Sequence, residues 1–325
     1  MEESLFAQRI NLTSLNESVN NIRNEIGRVI VGQLKMVDLL LIGLLCDGHM
    51  LIEGVPGIAK TLAARLLAKI VDVNFSRIQF TPDLMPSDVL GTTIFNPKTA
   101  EFQFKRGPIF SNIILIDEIN RAPAKTQSAL FEVMEERQVT IDGVSHAMDF
   151  PFIVLATQNP LEQEGTYRLP EAQLDRFLFK IDVQYPSLSE EITILTNQHV
   201  QTQAALLDNV QKILSPQQIA EYRLLIHSII IEPKLVEFIA KIVNATRNNP
   251  SLYLGASPRA SLAIMRASKA NAAIKGRDFV LPEDIIDIAG PVMRHRIILT
   301  PEKEMEGMTS DELIENIVRG IDVPR

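Results

Sequence analysis

A glycine-rich segment near residue 55 has the residue types that bind phosphate groups. Residues 54–61 are Gly-Val-Pro-Gly-Ile-Ala-Lys-Thr, which nearly matches the P-loop pattern of a glycine, any four residues and Gly-Lys-Thr. In such a loop, backbone N–H groups and the N-terminus of the following helix surround the phosphates. Lys60 would reach the β- and γ-phosphates, and Thr61 would ligate Mg2+. The segment therefore predicts a nucleoside-triphosphate site.

The P-loop match has one departure, because Ala59 stands where the pattern has glycine. Alanine is compatible with a right-handed helical backbone, so the loop can work if φ is negative at this position. A required positive φ would argue against it. The alternative interpretation of the segment is a glycine-rich strand-to-helix turn in which Lys60 is merely solvated.

An acidic pair follows a buried apolar run. Residues 113–116 are Ile-Ile-Leu-Ile, a pattern typical of a strand covered on both faces of a parallel sheet, and Asp117 and Glu118 come next. Asp117 would hold Mg2+ through water, and Glu118 would orient or activate the attacking water. The alternative is a strand that ends in two solvated acids.

Polar and basic residues elsewhere are candidates for the same chemistry. Asn159 ends another apolar run and could hold the attacking water or sense the γ-phosphate; an ordinary turn into Pro160 is the alternative. Arg176 and Arg259 could contact the γ-phosphate, since a guanidinium is always charged and forked. The alternative for both is a structural salt bridge. Arg168 is a third, less favoured candidate.

The hydrophobic periodicity predicts an α/β first half. Strands are expected at the apolar runs His49–Ile52, Phe75–Phe80, Asn112–Ile116, Phe152–Thr157 and Phe179–Val183. Helices are expected at Leu15–Ile30, Lys35–Cys46, Lys60–Ile70, Ala124–Glu136 and Glu171–Phe177. Two hairpins are expected, one joining Thr92–Phe95 to Glu101–Phe104 and one joining Gln138–Ile141 to Val144–Met148 through Asp142-Gly143.

The second half is predicted to contain almost only helices, so we divide the chain into domains 1–187 and 188–325. Two of these helices begin with a hydroxyl residue before proline, at Ser215-Pro216 and Ser257-Pro258, and Gln218 completes a capping box for the first. The other expected helices are Pro233–Thr246, Pro282–Ile297, Ser310–Arg319 and one that starts at Ser189.

The composition is ordinary for a globular protein, with 46% hydrophobic and 22% charged residues. The net charge of -8 argues against nucleic acid as the main partner. Met1-Glu2-Glu3 lacks the basic start of a signal peptide, and no apolar run reaches the ~20 residues of a membrane span, so we expect a cytoplasmic protein. The single cysteine, Cys46, excludes an intrachain disulfide and is interpreted as a small buried apolar residue.

Taken in order, these motifs resemble the MoxR family of AAA+ ATPases, in the helix-2-insert group. Apart from the P-loop, the segments that carry the resemblance are Val31–Gln33, Asp117–Pro123, Glu135–Thr140, Ala156–Pro160, Leu169–Phe177 and Ser257–Ala260. The resemblance implies a three-layer αβα P-loop core with a five-stranded parallel sheet, followed by an all-α lid. Members commonly carry alanine at the position of Ala59. Arg168 stands where many relatives have proline.

The resemblance also implies roles for individual residues. Asn159 would be sensor 1, Arg259 would be sensor 2 acting on the ATP of its own chain, and Arg176 would be the arginine finger acting on a neighbour's ATP. Lys60 and Glu118 would complete the catalytic set, and Thr61 and Asp117 would hold Mg2+. The expected nucleotide-binding residues are Val31, Gly32, Gln33, Gly54, Val55, Pro56, Gly57, Ile58, Ala59, Lys60, Thr61 and Leu62.

By resemblance, the chain would hydrolyse Mg-ATP as part of a homo-oligomeric ring, expected to be a hexamer, with a chaperone-like role in the assembly or activation of partner proteins or complexes. The implied partners are a protein with a von Willebrand factor A domain and an unidentified client protein. Three alternatives remain open: a DNA-directed ring ATPase, a magnesium-chelatase-like metal-insertion motor, and a nucleotide switch without catalysis.

Overall fold

A five-stranded parallel sheet lies at the centre of the first half of the chain. The computed structural model describes residues 9–55, 57–159, 166–167, 169–200 and 203–324. The sheet order is β2-β5-β8-β1-β9, and all four pairings are parallel. Its strands are β1 (His49–Glu53), β2 (Phe75–Gln79), β5 (Ile113–Asp117), β8 (Ile153–Gln158) and β9 (Phe177–Asp182). The prediction of five parallel strands is confirmed, with ends that differ by one or two residues.

The sheet is covered on both faces, because successive side chains of a strand point to opposite sides. Ile113 and Leu115 of β5 belong to one apolar cluster, whereas Ile114 and Ile116 belong to another. Helices of the first half fill the two layers: α1 (Thr13–Gly27), α2 (Leu34–Leu45), α3 (Lys60–Val71), α4 (Pro86–Leu90), α5 (Ala124–Glu136) and α6 (Glu171–Leu174). Helices α1, α2 and α3 contribute to the first cluster and α5 to the second, which confirms the three-layer architecture.

Two hairpins project from this core. They are β3 (Gly91–Asn96) with β4 (Glu101–Arg106), and β6 (Gln138–Ile141) with β7 (Val144–Ala147). Asp142 and Gly143 both have positive φ, 51° and 79°, as a two-residue Asp-Gly turn requires. The hairpins contact each other, since the Phe104 and His146 rings stack at 4.5 Å. Both predicted hairpins are therefore present.

Where the structure describes it, the second half is mainly helical, with one small two-stranded ribbon and an isolated bridge between Ile230 and Phe279. Its helices are α7 (Leu188–Val200), α8 (Gln203–Asp208), α9 (Pro216–His227), α10 (Pro233–Arg247), α11 (Pro258–Ile274), α12 (Pro282–Met293), α13 (Pro301–Met305) and α14 (Ser310–Arg319). Strands β10 (Leu252–Leu254) and β11 (Ile298–Leu299) pair antiparallel, and the sequence analysis did not predict them. Helix α12 ends at Met293, before its predicted end at Ile297, so Arg294, His295 and Arg296 lie outside it.

The two predicted hydroxyl caps differ. Ser215 accepts a hydrogen bond from the Gln218 N–H, and Gln218 reciprocates, so the capping box is present. Ser257 precedes α11 but makes no capping hydrogen bond. Its hydroxyl instead donates to Asp175, at 3.1 Å. The predicted cap at Ser257 is wrong because a charged acceptor from the first half of the chain takes the hydroxyl.

The two halves share one apolar core. Residues of α1 and α2 and residues of α9, α10, α11 and α12 belong to the same apolar cluster. Cys46 is partly buried against that cluster, and burial raises the pKa of its thiol to about 12. Among the described helices, none has both the length and the apolar character needed to cross a bilayer.

Buried histidines are bonded within the core. His49 accepts a hydrogen bond from the Val154 N–H at Nδ1 (2.9 Å), and its Nε2 donates to the Met134 carbonyl (3.1 Å). Burial, with the nearby charge of Arg137, lowers the pKa of His49 to about 3. Burial also lowers the pKa of His295 well below its usual value, and its Nε2 contacts the Phe177 carbonyl at 3.0 Å. Both imidazoles are therefore neutral in the folded chain at neutral pH.

Candidate functional site

The described residues of the glycine-rich segment before Lys60, which are 54, 55 and 57–59, lie between the end of β1 and the start of α3. Gly54 lies so close to its neighbours that a Cβ would come within 2.3 Å of the Ile58 side chain and 2.8 Å of the Val183 carbonyl. Gly57 has φ +88°, and a Cβ there would meet nothing within 4 Å. The first glycine thus permits close packing, and the second permits the turn. Pro56 lies outside the described residues.

Ala59 has φ 64° and ψ 18°, which is left-handed backbone. The condition of a negative φ at this position, stated from the sequence, is therefore not met: the turn into α3 forms with Ala59 in the left-handed region. A left-handed alanine costs about 1 kcal/mol because its Cβ crowds the following carbonyl. No side chain caps α3, and the first turn of a helix leaves N–H groups without intrahelical acceptors. These groups are available to an anion.

The side chains of Lys60 and Thr61 begin α3. Lys60 Nζ donates to the Gly54 carbonyl at 2.6 Å, so the ammonium lies over the loop. Lys60 and Thr61 both line a cavity of about 420 Å3 at the carboxyl edge of the sheet. In parallel sheets this edge is where ligands bind.

Asp117 and Glu118, at the end of β5, line the same cavity. The buried Asp117 carboxylate pairs with Arg77 Nε at 2.6 Å through Oδ2. Its Oδ1 accepts a hydrogen bond from the Thr157 hydroxyl at 3.1 Å. That hydroxyl also accepts from the Glu118 N–H at 3.1 Å. Thr157 therefore fixes both acidic residues from the neighbouring strand β8.

Glu118 has a left-handed backbone, with φ 57°. Its carboxylate accepts a hydrogen bond from Gln79 Nε2 at 2.7 Å and pairs with Arg121 Nε at 3.0 Å. Non-glycine residues in this region store strain, and such strain clusters at functional sites. The conformation turns the chain sharply just beyond β5, so that the acid lies at the cavity.

Several residues of the cavity were not singled out from the sequence. Asn159 lines the cavity, as expected. Arg65, Arg77 and Gln79 also line it, and these three were not predicted. Arg77 and Gln79 alternate along β2, so they share one side of that strand. Polar residues at alternate positions of a predicted strand are the signal that would have found them.

A second cavity, of about 360 Å3, adjoins the other side of the loop. Val31, Gln33, Ile58 and Leu62 line it together with residues of α7. Gln33 Nε2 donates to the Gln184 carbonyl at 3.1 Å, which joins the segment before α2 to the chain beyond β9. The lining combines apolar side chains with a few polar groups, as small-molecule sites do.

Three of the described residues predicted to bind the nucleotide do not line either cavity: Gly54, discussed above, Gly32 and Val55. Gly32 has φ +78°, and a Cβ there would collide with the Glu190 carboxylate, at 2.2 Å. Val55 is partly buried against the apolar core. Gly32 therefore constrains the shape of the backbone, and Val55 contributes to the apolar core.

Arg176 and Arg259 lie together, away from both of these cavities. Arg176 NH1 pairs with Glu135 Oε2 at 3.0 Å and donates to the Phe131 carbonyl at 3.0 Å. Arg259 NH2 lies 3.5 Å from the other oxygen of Glu135. Among the described residues, neither arginine lines the cavities at the P-loop. Arg259 therefore does not line the P-loop cavity of its own chain, where its predicted role places it, and that role stays a prediction. Arg168 lies outside the described residues.

The two arginines border a third cavity, of about 310 Å3. Its arginines are Arg137, Arg176, Arg259, Arg266 and Arg296, and its acids are Asp47, Glu135 and Asp175. Arginines therefore outnumber acidic residues around this cavity, although the whole chain has a net charge of -8. A local excess of positive charge attracts anions.

The P-loop cavity has the donors and ligands that Mg-ATP requires. The uncapped first turn of α3 and the Lys60 ammonium suit phosphate oxygens. The Thr61 hydroxyl and Asp117 carboxylate are oxygen ligands of the kind that Mg2+ prefers. The residues present therefore fit a magnesium–nucleotide complex.

Comparisons with known proteins agree with this geometry. Residues 49–179 match the ATPase family associated with various cellular activities (AAA), and residues 244–317 match the AAA lid domain. The chain is 45% identical to the uncharacterized protein YeaC of Bacillus subtilis over 92% of both chains. It is 45% identical to the chaperone MoxR1 of Mycobacterium tuberculosis over 93% of this chain and 81% of that protein.

A solved structure is also similar. A crystal structure of a Cytophaga hutchinsonii protein superposes with a TM-score of 0.87 at 45% sequence identity. The similarity covers 96% of this chain and 97% of that one. Similarity of this extent includes both the parallel sheet and the helical second half.

Proposed function

The chain belongs to the MoxR family of AAA+ ATPases, and from that premise we propose that it hydrolyses Mg-ATP within a homo-oligomeric ring. The carrying observation is the single cavity that Lys60, Thr61, Asp117, Glu118 and Asn159 line. These residues come from the ends of β5 and β8 and from α3. Their convergence from distant parts of the sequence supports one phosphate-binding and hydrolytic site.

In the proposed mechanism, each residue acts on the triphosphate or on the attacking water. Lys60 and the first turn of α3 bind the phosphates. Thr61 and Asp117 hold Mg2+, which when bound neutralises phosphate charge. Glu118 accepts a proton from the attacking water or orients it, and Asn159 holds that water by its amide. Thr157 keeps both acids in place.

The base occupies the second cavity in this proposal. Val31, Ile58 and Leu62 offer apolar surface to the ring, and the polar Gln33 lies beside them. A site of this size that joins the P-loop suits adenine better than a second, independent ligand.

Hydrolysis requires a neighbouring subunit in this proposal. Arg176 and Arg259 lie outside the P-loop cavities of their own chain, and they are held side by side by Glu135. This arrangement supports the action of both arginines on a neighbour's ATP. Arginine fingers of other nucleotidases raise the rate by ~10^3–10^5, so an isolated subunit should hydrolyse ATP poorly.

We propose a chaperone-like role, which rests on the name of the relative MoxR1. The β3–β4 hairpin exposes Phe95 and Phe102, whose rings lie 5.3 Å apart. Exposed aromatic side chains of this kind offer apolar surface to an unfolded or partly assembled client.

The proposed partner is a protein with a von Willebrand factor A domain. The proposed ring is a hexamer, and the proposed compartment is the cytoplasm.

The test is phosphate release from Mg-ATP over a range of protein concentrations. We expect the rate per subunit to rise with concentration, because the site is completed by a second copy. Glu118→Gln should lower kcat by ~10^2–10^4, and Arg176→Ala by ~10^3–10^5. Glu132→Gln and Arg319→Ala, at exposed positions outside the site, are the matched controls. Equal rates in the wild type and in both site variants would refute the assigned roles.

A further inference from the structure

Arg296 donates hydrogen bonds to residues on both sides of Arg176 in the chain. Its side chain is only 4% exposed. Its Nε donates to Asp175 Oδ1 at 2.7 Å, and its NH2 donates to the Asp175 carbonyl at 3.1 Å and the Phe177 carbonyl at 2.5 Å. Its NH1 donates to the Leu178 carbonyl at 3.2 Å. One side chain from beyond α12 therefore fixes the backbone immediately before and after Arg176.

The other oxygen of Asp175 is held by the residue that precedes α11. Ser257 Oγ donates to Asp175 Oδ2 at 3.1 Å. Ser257 is followed by Pro258 and then Arg259, near the start of α11. One carboxylate thus joins the residue next to Arg176 to a residue close in sequence to Arg259.

The two arginines are also joined at their tips. Both guanidinium groups pair with the two oxygens of Glu135, at 3.0 Å for Arg176 and 3.5 Å for Arg259. Their separation therefore depends on two contacts, one at Glu135 and one at Asp175 with Arg296. The Glu135 side chain is 43% exposed, and ion pairs with so exposed a partner contribute little. The contact at Asp175 is largely buried, so it is the one that can fix the geometry.

We propose that Arg296, with Asp175, is a positioning residue for ATP hydrolysis by the neighbouring subunit. It sets the spacing at which Arg176, from the core, and Arg259, from the helical half, reach the same triphosphate. This inference rests on the proposed function, in which both arginines act on a neighbour's ATP. Catalytic groups must be placed within about 0.5 Å, and a displacement of about 1 Å can cost ~10^2 in rate.

The first test separates kcat from ATP binding. Arg296→Gln is expected to lower kcat about 100-fold with an unchanged affinity for ATP, since Arg296 does not line either cavity at the P-loop. Arg296→Lys keeps the charge but has no fork, so its kcat should fall between those of the wild type and Arg296→Gln. A loss of ATP affinity in place of kcat would overturn the proposal.

The second test mixes subunits. A Glu118→Gln subunit has correctly placed arginines but hydrolyses its own ATP poorly. An Arg296→Gln subunit has an intact ATP site, but its own arginines are misplaced for the neighbour's ATP. In mixed rings each Arg296→Gln subunit that meets intact arginines should hydrolyse ATP, so the mixture should exceed both components several-fold. A mixture that stays at the level of Arg296→Gln alone would overturn the proposal.

A parallel mixture identifies which idea has failed. Arg176→Ala mixed with Glu118→Gln should recover activity if the arginine acts on a neighbour at all. Recovery there without recovery for Arg296→Gln removes only the positioning role. Failure of both mixtures removes the shared site, and with it the proposed function and this inference.

Arg277→Gln controls for a simple loss of stability. Arg277 pairs with Asp284 through both oxygens, at 2.6 Å each, and it donates to the Phe279 carbonyl in the same helical half. We expect it to lower the melting temperature about as much as Arg296→Gln while keeping kcat per folded subunit.

Ser257→Ala keeps the proposal testable if the Arg296 variants do not fold. It removes one hydrogen bond to Asp175 and should lower kcat about threefold, again with recovery in the mixture. An unchanged kcat in a folded Ser257→Ala protein would then overturn the proposal.

Discussion

Ala59 has a backbone conformation that glycine adopts at no steric cost. Its φ of 64° lies in the left-handed region, and a glycine at this position would relieve the Cβ contact. We expect Ala59→Gly to raise the free energy of unfolding by up to ~1 kcal/mol, after the greater unfolded-state entropy of glycine is subtracted. Urea unfolding of the wild type and the variant measures this difference. ATP binding should be retained, because the loop keeps its shape.

Ala68→Gly, in the interior of α3, is the matched control. There glycine should destabilise by about 1 kcal/mol, because it is a poor helix former. If both substitutions destabilise equally, Ala59 is not strained.

Arg77 and Mg2+ require the same carboxylate. The Arg77–Asp117 pair, at 2.6 Å, occupies the carboxylate that we assign to the metal, although the Arg77 side chain is 47% exposed. Because the arginine is exposed to solvent, we expect the pair to contribute on the order of 1 kcal/mol. We therefore expect Arg77→Gln to lower the Mg2+ concentration for half-maximal binding of a fluorescent ATP analogue by up to about fivefold.

Arg65→Gln removes an equal charge from the same cavity without touching Asp117. Arg65 lies over the Phe75 ring, 6.0 Å from its centroid. If both variants shift the Mg2+ requirement alike, the effect belongs to the overall charge of the cavity and not to the ion pair.

The two hairpins are coupled elements. Phe104 and His146 stack at 4.5 Å, and the Thr93 hydroxyl donates to Asp142 at 2.6 Å. An aromatic pair contributes ~0.5–1.5 kcal/mol. We expect His146→Ala to speed amide hydrogen exchange of β3 and β4 by up to about tenfold, with no change at β5. Phe95→Ala, near the tip of the first hairpin, is the control, and it should leave amide hydrogen exchange in the second hairpin unchanged. If Phe95→Ala and His146→Ala each change exchange in the opposite hairpin equally, the coupling through the Phe104–His146 stack is contradicted.

The predictions from the sequence succeeded where the signal is local. The five sheet strands, both hairpins and the capping box at Ser215 each depend on residues close together in the chain, and α5 and α14 have their predicted ends. The convergence of the P-loop with Asp117 and Glu118 followed from the known geometry of parallel sheets.

The predictions failed where a distant residue decides the structure. Asp175 takes the hydroxyl of Ser257 from 82 positions away. The pair of Arg77 with Asp117 spans 40 positions, and Arg296 reaches Asp175 over 121. No pattern of residue types along the chain indicates such partners. The roles of the site residues and the boundary at residue 187 stay predictions.

At the scale of the whole molecule, buried imidazoles should make stability depend on pH. The folded-state pKa of His49 is lowered to about 3, and that of His295 is lowered in the same direction. Below the usual value of ~6.5, the unfolded chain binds protons that the folded chain does not. The stabilisation is thus complete above pH ~6.5 and is lost as the pH falls toward ~3. His49 alone should lower the free energy of unfolding by about 2 kcal/mol as the pH falls from ~6.5 to ~5.

Chemical unfolding at several pH values checks this. His49→Gln should lower stability at neutral pH but reduce its dependence on pH below ~6.5. His199→Gln, at an exposed position of α7, should leave the dependence unchanged. An identical pH dependence in the wild type and His49→Gln would show that His49 does not contribute.

The order of the strands in the sheet fixes the distance between the loop that follows β1 and the acids at the end of β5. Hydrolysis would occur in the gap between them. Strand β8 separates β1 from β5, and neighbouring strands lie ~4.8 Å apart. The loop that follows β1 and the acids at the end of β5 are therefore about two strand spacings, or ~10 Å, apart. Asn159, directly beyond β8, stands midway along that gap. Its width is a property of backbone hydrogen bonding, so side-chain substitution can change what fills the gap but not its span.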